Sequence, residues 1–83
     1  MSCTTRPREL LRGADANLAR LDGVSMRRAP QTLQDALPRA RRATREAFDA
    51  IRLDHPDAAA IARHALERTG QAVAIALVHD LLK

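Results

Sequence analysis

Apolar residues recur at three- and four-residue intervals along most of this chain, the spacing that gathers side chains on one face of an α-helix. In the first segment Leu11, Ala14, Leu18 and Leu21 repeat in this way. Pro7 suits the first turn of a helix. Gly23 follows Asp22 where a left-handed cap residue is expected, with Val24 placed for the apolar contact that accompanies such a cap. The pattern predicts a helix over residues 7–22 and a connector over 22–30.

The next stretch is more regular. Leu33, Ala36, Leu37, Ala40, Ala43, Ala47, Phe48 and Ile51 share one face, and Arg39, Arg41, Arg42, Arg45, Glu46, Asp49 and Arg52 share the other. A helix over 32–54 follows, with a break or kink at Pro38. The ring removes a backbone donor and crowds the preceding turn. Leu37 before a proline is biased away from the α region, which favours a short lead-in turn and a helix starting at Pro38.

Asp54-His55-Pro56-Asp57 marks the last boundary, where Asp54 or His55 can cap a helix over 56–82. Ile61, Ala62, Ala65, Leu66, Thr69, Ala72, Val73, Ala76 and Leu77 form its first stripe, opposite Arg63, His64, Glu67, Arg68 and Gln71. Beyond Gln71 the opposite face turns apolar too, through Ala74, Ile75, Val78, Leu81 and Leu82. A surface helix needs only one apolar stripe, so two imply burial on both sides. At 1.5 Å per residue such a helix runs to roughly 40 Å, against about 25 Å for each of its partners, and its apolar end overhangs them.

The expected fold is all-α. It is a small antiparallel three-helix bundle with a long C-terminal helix, in a single domain spanning 1–83. A stop at Gly70 would instead give four helices and bury the last one internally. If the helix is continuous, Ala74, Ile75, Val78, Leu81 and Leu82 form a protein interface, Leu77 is shared with the core, and Ala65, Gly70, Ala72 and Ala76 permit close helix approach. The occupant is a second copy, giving a homodimer, or a hetero-partner.

Composition sharpens this picture. Of 83 residues 46% are hydrophobic, but Phe48 is the only aromatic, so packing must come from close approach of small-residue faces. At this size a single core leaves little net stability, which makes oligomerisation useful. The net charge is +4, with Lys83 the single lysine among fourteen basic residues, an arginine bias that GC-rich coding produces as readily as function. Arg42 with Glu46, Arg45 with Asp49, and Asp49 with Arg52 are spaced to pair along the helix, leaving Arg39, Arg41, Arg27 and Arg28 without such local partners.

Together Arg27, Arg28, Arg39, Arg41, Arg42 and Arg45 are the candidate phosphate-binding set of an alternative reading, a nucleic-acid-associated accessory factor. A helix-turn-helix across Gly70 is disfavoured. Leu66 stands at the usual turn glycine, and the recognition helix would carry almost nothing to read a base edge.

No catalytic, cofactor or metal site emerges. Cys3 has no activating partner, Ser2 and Ser25 lie in the terminus and connector, and His79-Asp80 fits a polar rim better than an acid–base pair. His64 and Glu67 share a helix face, but a paired-metal carboxylate site needs Glu-x-x-His on two helices. With no apolar signal core and no run long enough for a bilayer, a soluble cytoplasmic location is expected. The expected function is that of a non-catalytic protein–protein interaction module, such as an adaptor, chaperone-like subunit or small inhibitor, acting through the apolar C-terminal helix face.

Overall fold

A computed structural model describes residues 6–82. Cys3, Ser2 and Lys83, weighed above, lie outside the described residues. Three helices account for the fold: α1 (Pro7–Leu21), α2 (Gln31–Arg52) and α3 (Ala58–Val78). No strand occurs among the described residues. α1 and α3 run in the same direction, since Gly13 lies against Leu66 and the Asn17 amide donates to the Thr69 hydroxyl at 3.1 Å. α2 runs opposite to both and packs mainly on α3, so that consecutive helices are antiparallel.

The core has two ends. Leu21, Ala29, Leu33, Leu37, Ala72, Val73 and Ala76 form one cluster, on which Val24 and Met26 of the connector also pack. Leu10, Ala14, Ala43, Ala47, Ala62 and Ala65 form the other. Leu10 is buried here with Ala14, whereas its neighbour Leu11 packs at the edge, half-buried. Thr69 stands between the clusters on α3 with its side chain fully buried. Its hydroxyl reaches the carbonyls of Ala65 at 2.9 Å and Leu66 at 3.0 Å while accepting from Asn17, so the polar atom is paired. The buried Thr44 hydroxyl likewise donates to the Ala40 carbonyl at 2.9 Å.

Several sequence expectations are corrected. α2 is continuous from Gln31 through Pro38, with Pro30 as its N-cap, so the lead-in turn does not form. Leu33 and Leu37 flank the proline and are both buried in one cluster, and holding both there keeps the turn helical. α3 is continuous through Gly70, which has open space around it and is not a point of close approach. Gly23 does not adopt a left-handed backbone; Asp54 (φ 54°) and Asp80 (φ 55°) do.

Both aspartates close helices in the same way. At the end of α2 the Asp54 and His55 amides donate to the Ile51 and Ala50 carbonyls, and at the end of α3 the Asp80 and Leu81 amides donate to the Leu77 and Ala76 carbonyls. Each is a Schellman motif, which satisfies carbonyls the helix itself leaves open. Asp54 therefore ends α2 instead of capping α3. The His55 ring accepts from the Asp57 amide at 3.0 Å. α3 starts at Ala58 and stops at Val78, not at 56 and 82. Its 21 residues make about 31 Å, against about 33 Å for the 22 of α2 and about 22 Å for the 15 of α1, so α3 does not exceed α2 in length.

Candidate interaction surfaces

The end of α3 separates the expected interface residues into two groups. After the left-handed turn at Asp80, Leu81 and Leu82 fold back and pack, with Ile75, against the chain's own core cluster. The Leu81 amide bond to Ala76 at 2.8 Å fixes that return. Ala74 and Val78 remain outside, and Val78 is 81% exposed. Leu77, expected to be shared with the core, is 52% exposed. Ala65, Ala72 and Ala76 are fully buried and provide the close approach expected of small residues. What remains accessible is a short strip of Ala74, Leu77 and Val78. A shallow apolar depression runs along its edge, lined by Thr32, Ala74, Ile75, Val78 and His79.

The arginines are redistributed as well. Of the three pairs expected along α2, only Arg52 with Asp49 forms, at 3.6 Å and with both side chains exposed. Arg42 and Arg45 make no ion pair with Glu46 or Asp49, so local compensation of this face is smaller than the spacing implies. Arg39 and Arg42 meet residues of α3 across a shallow seam that holds His64 and Arg68 together with Glu46. Arg68 Nε approaches His64 Nε2 at 3.4 Å. Arg39 and Arg68 also line the adjoining depression with Asp35 and Gln71. Arg41 and Arg45 take no part in this seam, and Arg27 and Arg28 stay exposed in the connector. The α3 contribution, Arg68 and His64, was missed because helical spacing reports neighbours on one helix, not those facing it across a packing interface.

Phe48 is the other misplacement. Expected on the core face of α2, it is 56% exposed, and the buried positions around it are Ala43, Thr44, Ala47 and Ala50. Its ring opens onto a groove between α1 and α2 with Leu11 and Ile51. Among the described residues no group of three or more His, Cys, Asp or Glu side chains is placed to hold a metal ion, and none of their helices is long and apolar enough to cross a membrane. Compared with known proteins, the chain matches no family model, no curated protein and no solved structure.

Proposed function

We propose that this protein is a non-catalytic protein–protein interaction module, an adaptor, chaperone-like subunit or small inhibitor, with the apolar strip at the C-terminal end of α3 as a contact surface. The supporting observation is where the large apolar side chains lie. Among the described residues, eleven of the sixteen buried hydrophobics are alanine, while Phe48, Leu53, Leu77 and Val78 stand out in solvent. A chain with so few bulky side chains gains most by burying them in its own core. Leaving four outside is a cost that contact with another surface offsets. The strip itself is small. A stable complex uses about 20–30 residues a side, so Ala74, Leu77 and Val78 support weak self-association, or one anchor within a wider contact to a hetero-partner.

Light scattering over a range of concentrations, on the wild type and on Val78→Asp, tests the strip. The expected result is a wild-type mass that rises from 9.1 kDa toward twice that value with concentration, and a variant that stays at 9.1 kDa with unchanged helical circular dichroism. A wild type that remains monomeric throughout would remove self-association at this surface. Loss of helix in the variant would return Val78 to the core.

A second reading, the nucleic-acid-associated accessory factor, is favoured by one observation: Arg39 and Arg42 of α2 face Arg68 and His64 of α3 across one seam. Neighbouring guanidinium groups on two helices can neutralise successive phosphates.

A further inference from the structure

α3 is the helix on which both others pack, and α1 and α2 touch each other least. Between α1 and α2 runs an open groove of about 540 Å³, lined by Leu11, Phe48 and Ile51 with Arg8, Arg12, Asp15 and Arg52. It continues past Arg8 and Ile51 into a second depression of about 340 Å³ that reaches Arg6, Asp54 and Ala58. The groove brings together the chain's only aromatic ring and two large aliphatic side chains, with charge that is mostly of one sign. Four arginines border its length against two aspartates. Arg52 shares its charge only with Asp49, through an exposed contact of 3.6 Å. Farther along α2, Arg41 and Arg45 repeat at helical spacing with Phe48 and Arg52, which extends the basic row beyond the groove.

We propose that this groove binds the apolar face of an acidic amphipathic helix supplied by a protein partner, which would stand beside α1 and α2 as the fourth helix of a bundle. Two helices with an open apolar seam present the geometry into which a third packs, its residues at i, i+3, i+4 and i+7 entering the seam. Phe48 is the anchor, since an exposed aromatic ring offers large contact area with only two rotatable bonds to immobilise. The arginines specify what flanks the apolar stripe. Aspartate and glutamate on either side of it would meet Arg8, Arg12 and Arg52, whereas lysine or arginine would meet like charge. The same argument disfavours a second copy of this chain, which carries a net charge of +4. This surface is separate from the α3 strip, and either can fail without the other.

The test uses the full chain and a fluorescein-labelled peptide of about 18 residues, roughly 27 Å of helix, with leucine along one face and glutamate on both flanks. Three further probes accompany it: a scrambled peptide of the same composition, the same pattern with lysine for glutamate, and an oligothymidine. Because Phe48 is the only phenylalanine, phenylalanine labelled at the para ring carbon gives a single resonance to follow alongside fluorescence anisotropy. The acidic amphipathic peptide should bind at least about tenfold more tightly than each other probe and move the Phe48 signal. Phe48→Ala and Arg12→Glu should each weaken it at least about fivefold with circular dichroism unchanged, while Val78→Asp leaves it unaltered. Equal binding of the scrambled peptide, an unmoved Phe48 signal, or full affinity in Phe48→Ala would overturn the proposal. Tighter binding of the oligothymidine would also overturn it, and would make Phe48 a stacking platform for single-stranded nucleic acid.

Discussion

Gly13 and Gly70 both lie inside helices with ordinary negative φ, yet they are not equivalent. A methyl group added at Gly70 would meet nothing within 4 Å, whereas one added at Gly13 would come to 2.8 Å from Leu66 Cδ1, where α1 crosses α3. Glycine in a helix interior costs about 1 kcal/mol relative to alanine. Gly70→Ala should therefore raise stability by about that amount, a rise of roughly 4–8 °C in Tm for a domain of this size. Gly13→Ala should gain less, because Leu66 must leave its rotamer at a cost of about 0.5–1.5 kcal/mol. Urea midpoints at constant m value measure both, and equal gains would mean that Leu66 swings aside freely. Gly70 could be seen as a helical weak point from sequence, but Gly13 as a packing contact could not. The left-handed cap expected at Gly23 lies elsewhere for a related reason. Gly23 is the residue best suited to that backbone, but Asp54 and Asp80 are the ones the helix ends place there.

At the scale of whole elements, Pro38 shows packing overriding local preference. The proline has no amide to give the Gln34 carbonyl, and its ring crowds the turn before it. Even so, α2 passes through it, because Leu33 and Leu37 on the turns beside it are buried against Ala72, Val73 and Ala76. Pro38 itself is exposed, so its side chain contributes little packing. Pro38→Ala should stabilise the protein by up to about 3 kcal/mol, read from chemical denaturation. A neutral or destabilising result would mean that the bundle needs a bend at that turn. The far end of α3 follows the same rule in reverse. Leu81 and Leu82 fit the helical period of the segment before them, and the alternative of folding back to cover the core ends the helix at Val78. That choice shortens the apolar surface available to a partner.

Across the molecule, two depressions are bordered by clustered arginines, the α2–α3 seam by Arg39, Arg42 and Arg68 and the α1–α2 groove by Arg8, Arg12 and Arg52. The accessory-factor reading and the helix-binding proposal therefore make separable demands. If the seam engages phosphates, affinity for duplex DNA should fall steeply between 50 and 200 mM salt, and the dependence should flatten in an Arg39→Glu, Arg68→Glu double variant. Binding that is weak and unchanged by both substitutions would end that reading. An apolar groove contact loses only its electrostatic share over the same range, because salt screens exposed charges and leaves buried apolar area untouched.

The all-α class and the three amphipathic segments were legible from the sequence because helical periodicity is a property of one segment at a time. The alanine stripes Ala40–Ala43–Ala47 and Ala62–Ala65–Ala72–Ala76 could be assigned to the core in the same way, since small residues recurring on one face have no other means of bringing helices together. Only the tertiary structure decided what lies beside those stripes. Phe48 and Ile51 border the core face of α2, and whether they were covered depended on how near α1 came. Ile75, Leu81 and Leu82 belonged to a partner or to the core according to where α3 stopped. Arg68 and His64 joined Arg39 and Arg42 only once α3 lay against α2. In each case the deciding energy is contact between residues far apart in the chain, and the spacing of positions along one helix carries no record of it.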